Sequence, residues 1–189
     1  MKRLIPMILI SLALTACKEE LAQDVTPVSL SADAVGHYCQ MTLLEHDGPK
    51  AQAHLGGLPG APLFFSQVRD VVAYLRMPEQ SHEVVAVWVN DMGAQDATWD
   101  APGADNWIDA EDALYVVGSD VIGGMGAPEL VPFSDRTAAR DFAADHGGAV
   151  MTLDEIPDAA VLAPVELVQD TDDSAFQDRL RALSDKMGD

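Results

Sequence analysis

Apolar residues recur along this chain in two rhythms, every second position and every third or fourth, and the two rhythms alternate twice. Val68, Val71, Val72 and Leu75 fall on one helix face, in a run that follows Ser66 and stops near Met77-Pro78. Ala138, Ala139 and Phe142 mark a second helix, which follows Ser134 and stops at Gly147-Gly148. Both serines stand where a hydroxyl N-cap is expected. Strand-like segments flank each helix. Lys50 to Leu55 and Pro62 to Phe65 precede the first, and His82 to Val89 follow it. Ala113 to Val117 and Glu129 to Phe133 precede the second, and Ala149 to Leu153 follow it. Each unit reads strand, strand, helix, strand, with Phe-Ser ahead of the helix in both. The pattern predicts an α+β fold of two small repeated ββαβ-type modules, residues 36–92 and 113–164. Residues 93–112, rich in Ala, Asp, Gly and Trp, read as an ordered linker. Residues 165–189 are an acidic tail, in which Asp173 to Lys186 either forms a terminal helix or stays mobile.

The N-terminus breaks this rhythm. Met1-Lys2-Arg3 is a short basic region, and Leu4 to Leu14 is an apolar stretch too short to span a bilayer comfortably. Leu14-Thr15-Ala16-Cys17 resembles the lipobox of bacterial lipoproteins, where the cysteine sulfur receives a diacylglycerol. Residues 1–16 are then a cleaved export signal, with Cys17 the acylated first residue of the mature chain. The plainer alternative is a secretory signal with a chance cysteine. Two or more acyl chains, palmitate among them, anchor stably where one is marginal. Residues 17–35 follow as a polar tether. Lys18 stands where an Asp would suggest retention in the inner membrane, so the expectation is the outer membrane, facing the periplasm.

Composition narrows the class further. The net charge is −20 and grows more negative once Lys2 and Arg3 leave with the signal. So acidic a surface argues against nucleic acid and against anionic lipid headgroups. A hydrophobic fraction of 48% is enough for a packed core. Cys17 and Cys39 are the cysteines of the chain. With Cys17 acylated, Cys39 has no intramolecular partner, which suggests a reactive thiol, an intermolecular disulfide or a metal ligand.

The neighbours of Cys39 favour a metal. Gly36-His37-Tyr38-Cys39-Gln40-Met41 sets a thiolate and a thioether two residues apart. Both are soft ligands, which suit Cu(I) better than Zn(II), Mg(II) or Ca(II). In an extended segment Cys39, Met41 and His37 share one face. Such a pair cannot close an internal disulfide in an oxidising compartment. Met125 lies in a second candidate segment, Val121-Ile122-Gly123-Gly124-Met125-Gly126, where glycines let backbone approach another segment closely. Met77, Met92 and Met151 read as gap-fillers.

Tyr38-Cys39-Gln40-Met41, Glu45-His46-Asp47-Gly48-Pro49-Lys50-Ala51-Gln52, Val89-Asn90-Asp91-Met92-Gly93, Gly124-Met125-Gly126, Val131-Pro132-Phe133 and Gly147-Gly148 together resemble the NosL family. These are lipoprotein copper chaperones of the nitrous oxide reductase system. The resemblance covers residues 36 to about 155 and the lipoprotein signal. It implies two ββαβ-type modules. It implies Cu(I) held by Cys39, Met41 and Met125, with a nitrogen ligand from His46 or His37 left open. It also implies delivery to the catalytic multicopper centre of periplasmic nitrous oxide reductase, with apo reductase and an ABC-type assembly complex as partners. The family usually has Gly between Cys and Met; here Gln40 stands there, which changes loop freedom but removes no ligand. The expected role is a carrier and not an enzyme. Two other classes compete: a thiol-dependent envelope enzyme using Cys39 with His37 as base, and a structural envelope lipoprotein with Cys39 buried and inert.

Overall fold

The computed structural model describes residues 22–78, 80–164 and residue 181. The export signal, Cys17 and all of the acidic tail beyond residue 164 except Arg181 lie outside the described residues. The first module runs β1 (Ala51–Leu55), β2 (Leu63–Phe65), α1 (Val68–Arg76) and β3 (Val84–Asn90). The second runs β5 (Leu114–Val117), β6 (Val131–Phe133), α2 (Arg136–His146) and β7 (Ala149–Thr152). Between them β4 (Trp107–Asp109), drawn from the segment read as linker, extends the first sheet. A short α3 (Asp158–Leu162) follows β7.

The sheets run β2-β1-β3-β4 and β6-β5-β7, with every pairing antiparallel. In each module the first strand is therefore central, the second strand and the strand after the helix flanking it. The fold is α+β with the same β-β-α-β connection used twice. Its helix ends follow local chemistry. Met77, ahead of Pro78, takes an extended conformation and closes α1. Gly147, at φ 74°, closes α2 in a region that side chains disfavour.

The helix starts differ from expectation. The N-caps are Gln67 and Asp135, one residue beyond each serine. Asp135 accepts from the amides of Thr137 and Ala138, a geometry that its longer carboxylate reaches from the residue next to the helix. Gln67 makes no side-chain cap at all. Ser66 is buried, and Ser134 turns instead to Asp91 of the first module.

A principal core cluster ties the modules together. Ala51, Ala53, Phe65, Val68, Val71, Val72, Val87 and Val89 share it with Tyr115, Val117, Leu130, Ile156 and Val161. Each of the valines on α1 that is fully removed from water contributes about 1.5–3 kcal/mol. The opposite face of β5, Leu114 and Val116, packs with Val131, Phe133 and Ala139 on α2. All four residues of β5 are thus buried.

Strand β1 is also buried throughout, although Gln52 and His54 are polar. Residues 22–30, expected as part of a tether, cover that side. Gln52 bonds to both backbone groups of Val28, Gln23 bonds to Leu55 and Gly57, and Trp88 donates to the carbonyl of Val25. The chain is held to the sheet from Gln23 onward.

Candidate metal centre

The segment 36–41 is a closed turn. Val35 bridges to Thr42, Gly36 N–H donates to Met41 O at 3.0 Å, and Gln40 N–H to Gly36 O at 2.9 Å. Below it Leu43, fully buried with Leu30 and Ala34, anchors the turn to the domain. The turn overturns the extended geometry expected for His37, Cys39 and Met41, because alternation of faces holds only in a strand. Gln40 stands at φ 55°, the left-handed region where Gly is most at ease. Its amide repays part of that cost by donating to His37 O at 2.7 Å and Gly36 O at 3.3 Å. The sulfur of Cys39 folds back over Gly36, where a β-carbon would overlap it. It lies 3.9 Å from the carbonyl oxygen of Met41. Cys39 is partly exposed and Met41 is 43% exposed, so neither sulfur is sealed in a core.

His37 goes elsewhere. Its ring centroid lies 5.0 Å from the exposed Tyr38 and 5.6 Å from both Phe65 and Tyr74, which are buried. No hydrogen bond among the described residues joins His37 to Cys39.

Met125 sits at the tip of a second closed loop. Ile122 bridges to Pro128, Gly123 N–H donates to Ala127 O at 2.8 Å, and Gly126 N–H to Gly123 O at 2.9 Å. The expected close approach of its glycines is present. A β-carbon on Gly124 would stand 2.7 Å from His46 Cβ and 2.8 Å from Asp47 O. Met125 is 40% exposed. His46 Nδ1 lies 3.3 Å from Gly124 O. A carbonyl only accepts, so in the neutral ring this contact puts the hydrogen on Nδ1 and the lone pair on Nε2. That Nε2 is shielded from solvent and has no hydrogen-bond partner among the described residues. This is the tautomer of a metal-ligating histidine, whose remote N–H commonly donates to a carbonyl.

Both loops meet at the head of α1. A β-carbon on Gly36 would lie 3.8 Å from Ser66 N, and one on Gly123 would overlap the Gln67 side chain. Ser66 and Gln67 are consecutive, so the Cys39–Met41 turn and the Met125 loop abut one dipeptide. His46 joins them through its contact with Gly124, and a 3-10 turn, Leu43–Glu45, lies between Met41 and His46. Among the described residues no three His, Cys, Asp or Glu side chains gather as for a metal ion. The donors here are chiefly sulfur and a single imidazole, a soft set.

Two buried charged residues behind the loops escaped the sequence reading. Glu129 is 1% exposed, and burial pushes its carboxyl up to about 8. Lys50, also buried, donates to the carbonyls of Asp47 and Gly48, and burial lowers its ammonium to about 8. A lone glutamate entering the apolar run Leu130 to Phe133 was the available signal.

The NosL family model matches residues 27–161, across both modules. The copper-binding lipoprotein NosL of Achromobacter cycloclastes is 55% identical over 177 residues, 93% of this chain and 91% of the relative. The copper-binding lipoprotein NosL of Stutzerimonas stutzeri is 33% identical over 155 residues, 80% of this chain and 78% of the relative. The crystal structure of the copper chaperone NosL from Shewanella denitrificans superposes with a TM-score of 0.64 at 31% identity, covering 70% of this chain and 96% of that one. The chain belongs to the NosL family.

Proposed function

We propose that this protein is a Cu(I) carrier of the cell envelope, lipid-anchored through Cys17 and facing the periplasm from the outer membrane. Its cargo serves assembly of the catalytic multicopper centre of nitrous oxide reductase. Apo reductase and an ABC-type assembly complex are the partners. The observation that carries the reading is the meeting of two loops at the head of α1, one bearing Cys39 and Met41 and the other Met125. A thiolate supplies charge to hold Cu(I), while thioethers add selectivity without charge. Partial exposure of all three suits an ion that is to be passed on. His46 is the better nitrogen ligand, because its Nε2 lone pair is free while the ring of His37 packs among aromatics. The names of the relatives, copper-binding lipoprotein and copper chaperone, agree with this reading. A thiol enzyme needs a base on its sulfur, and the Cys39 sulfur faces the Met41 carbonyl instead.

The test is Cu(I) competition titration of the wild type and Cys39→Ser, paired with the copper content of nitrous oxide reductase in cells carrying each. Tight binding lost in the mutant, with a reductase short of copper, is the expected result. Cu(I) affinity untouched by Cys39→Ser would end the carrier reading.

A further inference from the structure

We infer that Glu129 is a positioning residue of the metal centre: its carboxylate, held between the head of α1 and the backbone of Gly123, fixes the Met125 loop against the loop that bears Cys39 and Met41. The inference rests on the ligand role proposed above for Met125.

The carboxylate accepts from the amide of Arg69 at 3.0 Å, the amide of Leu130 at 2.9 Å and the Gln67 amide group at 3.5 Å. Arg69 is the second residue of α1, the position whose N–H an N-cap side chain normally satisfies. Gln67, the N-cap, leaves that to a residue of the second module, 60 positions from Arg69. Capping alone does not account for this. Asp135 caps α2 locally from an exposed position, whereas Glu129 must be buried with its acid group, which is costly.

What the buried acid adds is reach. A β-carbon on Gly123 would stand 2.6 Å from Glu129 Oε2, so the loop backbone lies directly on the carboxylate. Gln67, itself 1% exposed, also donates to Ala127 O at 3.4 Å, on the other arm of the Met125 loop. An unbroken series of contacts therefore runs from the Cys39 sulfur over Gly36 to Ser66, then through Gln67 and Glu129 to Gly123. Burial favours the neutral form of Glu129, of which glutamine is a close mimic. Its carbonyl oxygen keeps the bonds from the Arg69 and Leu130 amides and forgoes only the longest, that from Gln67 at 3.5 Å.

The experiment uses protein labelled at methionine methyl groups. In the apo protein the Met125 methyl resonance is expected to move in Glu129→Ala and to keep its place in Glu129→Gln. Cu(I) affinity should fall roughly tenfold or more in Glu129→Ala and stay within about twofold of wild type in Glu129→Gln. Adding Met125→Ala to Glu129→Ala should cost little more, although Met125→Ala alone weakens binding, because coupled residues are not additive. A Met125 methyl unmoved in folded Glu129→Ala overturns the inference whatever copper does. A methyl that moves, in a protein where Met125→Ala binds copper like wild type, keeps the placement of the loop and sinks the ligand role. Gly123→Ala covers the case in which Glu129→Ala fails to fold. Its added methyl collides with both Gln67 and Glu129, so the same methyl shift and affinity loss are expected. Native values for both would overturn the proposal.

Discussion

Asp91, at the exit of β3, receives both the amide and the hydroxyl of Ser134, at the entrance to α2. The amide bond measures 3.1 Å, and the same carboxylate also takes Gly93 N–H at 2.8 Å. A carboxylate of the first module thus steadies the helix entry of the second. Glu129 of the second does the same for the first through Arg69. Each module lends an acid to the other: α1 takes its cap from outside its own repeat, whereas α2 keeps its own cap, Asp135, and gains Asp91 on the residue before it.

Asp91→Ala should therefore destabilise the whole domain. Asp91 is 7% exposed, so its donors lose their acceptor where water reaches poorly. The expected loss is about 2–3 kcal/mol, read as a shift of the urea midpoint. A loss below about 0.5 kcal/mol, typical of a surface substitution, would mean that the modules are held by apolar contact alone.

Glu129 gives stability a pH dependence of known sign. Its ordinary value is 4.5 and burial raises it to about 8. Between those limits the unfolded chain ionises while the folded one must keep its proton, so stability falls as pH rises through this window. Lys50 works in the window above. Its value drops from 10.5 to about 8, the unfolded chain holds more protons there, and its contribution rises with pH. Urea titrations at pH 5, 6, 7 and 8, chosen as round values across the window, should show a decline in wild type that is shallower in Glu129→Gln. Parallel curves for the two proteins would remove Glu129 as the source.

Gln40 offers a test of loop strain. Its left-handed backbone costs a non-glycine residue roughly 1 kcal/mol, offset by the side-chain bonds to Gly36 and His37. Gln40→Ala keeps the cost and loses the bonds, whereas Gln40→Gly loses both. Calorimetry should rank alanine below glycine in stability by roughly 1 kcal/mol, with Cu(I) binding retained in both. The reverse ranking would show that the turn is not strained at this residue.

The alternation of apolar positions carried most of the fold. Of the seven strands among the described residues, six match predicted segments within two residues, and both predicted helices are present with the expected stops. These elements are legible because each buries a local, periodic face. Failures cluster where a distant segment decides. Gln52 and His54 alternate outward from the helix, as a strand should, yet they are buried because residues 22–30 fold over them. Ser66 looked like a cap, but the head of α1 is served by Glu129. The proposed donors Cys39, Met41 and Met125 were chosen by chemistry, and the structure sets them on two loops that abut Ser66-Gln67. Their geometry was not legible, because Gln40 bends a stretch that reads as extended into a turn.

Anchoring through Cys17 is open to a direct check. Cys17→Ser should appear in the soluble periplasmic fraction or remain unprocessed, since a chain without acyl groups has no comparable hold on the bilayer. Fractionation and mass measurement distinguish these outcomes from acylated wild type. Membrane association unchanged in the mutant would remove the lipoprotein claim.

The ligand set makes the sharpest prediction. One Cu(I) per chain is expected, bound by Cys39, Met41, Met125 and His46. The thiolate is the charged ligand, so Cys39→Ser should nearly abolish binding. Met41→Ala and Met125→Ala should each weaken it by a smaller step, about tenfold, equivalent to about 1.4 kcal/mol. The two histidines separate by geometry. His46 sets Nδ1 on the carbonyl of Gly124, and its other nitrogen lies shielded with no partner among the described residues. His37 spends its ring on Phe65, Tyr74 and Tyr38. His46→Ala should therefore lower Cu(I) affinity by an amount like that of a methionine, and His37→Ala should lower it far less. X-ray absorption supplies the matching readout: a copper–nitrogen scattering shell present in wild type and in His37→Ala, and absent in His46→Ala. If that shell instead vanishes in His37→Ala and survives in His46→Ala, the aromatic group beside Cys39 has to open to form the site, and the nitrogen ligand passes from His46 to His37.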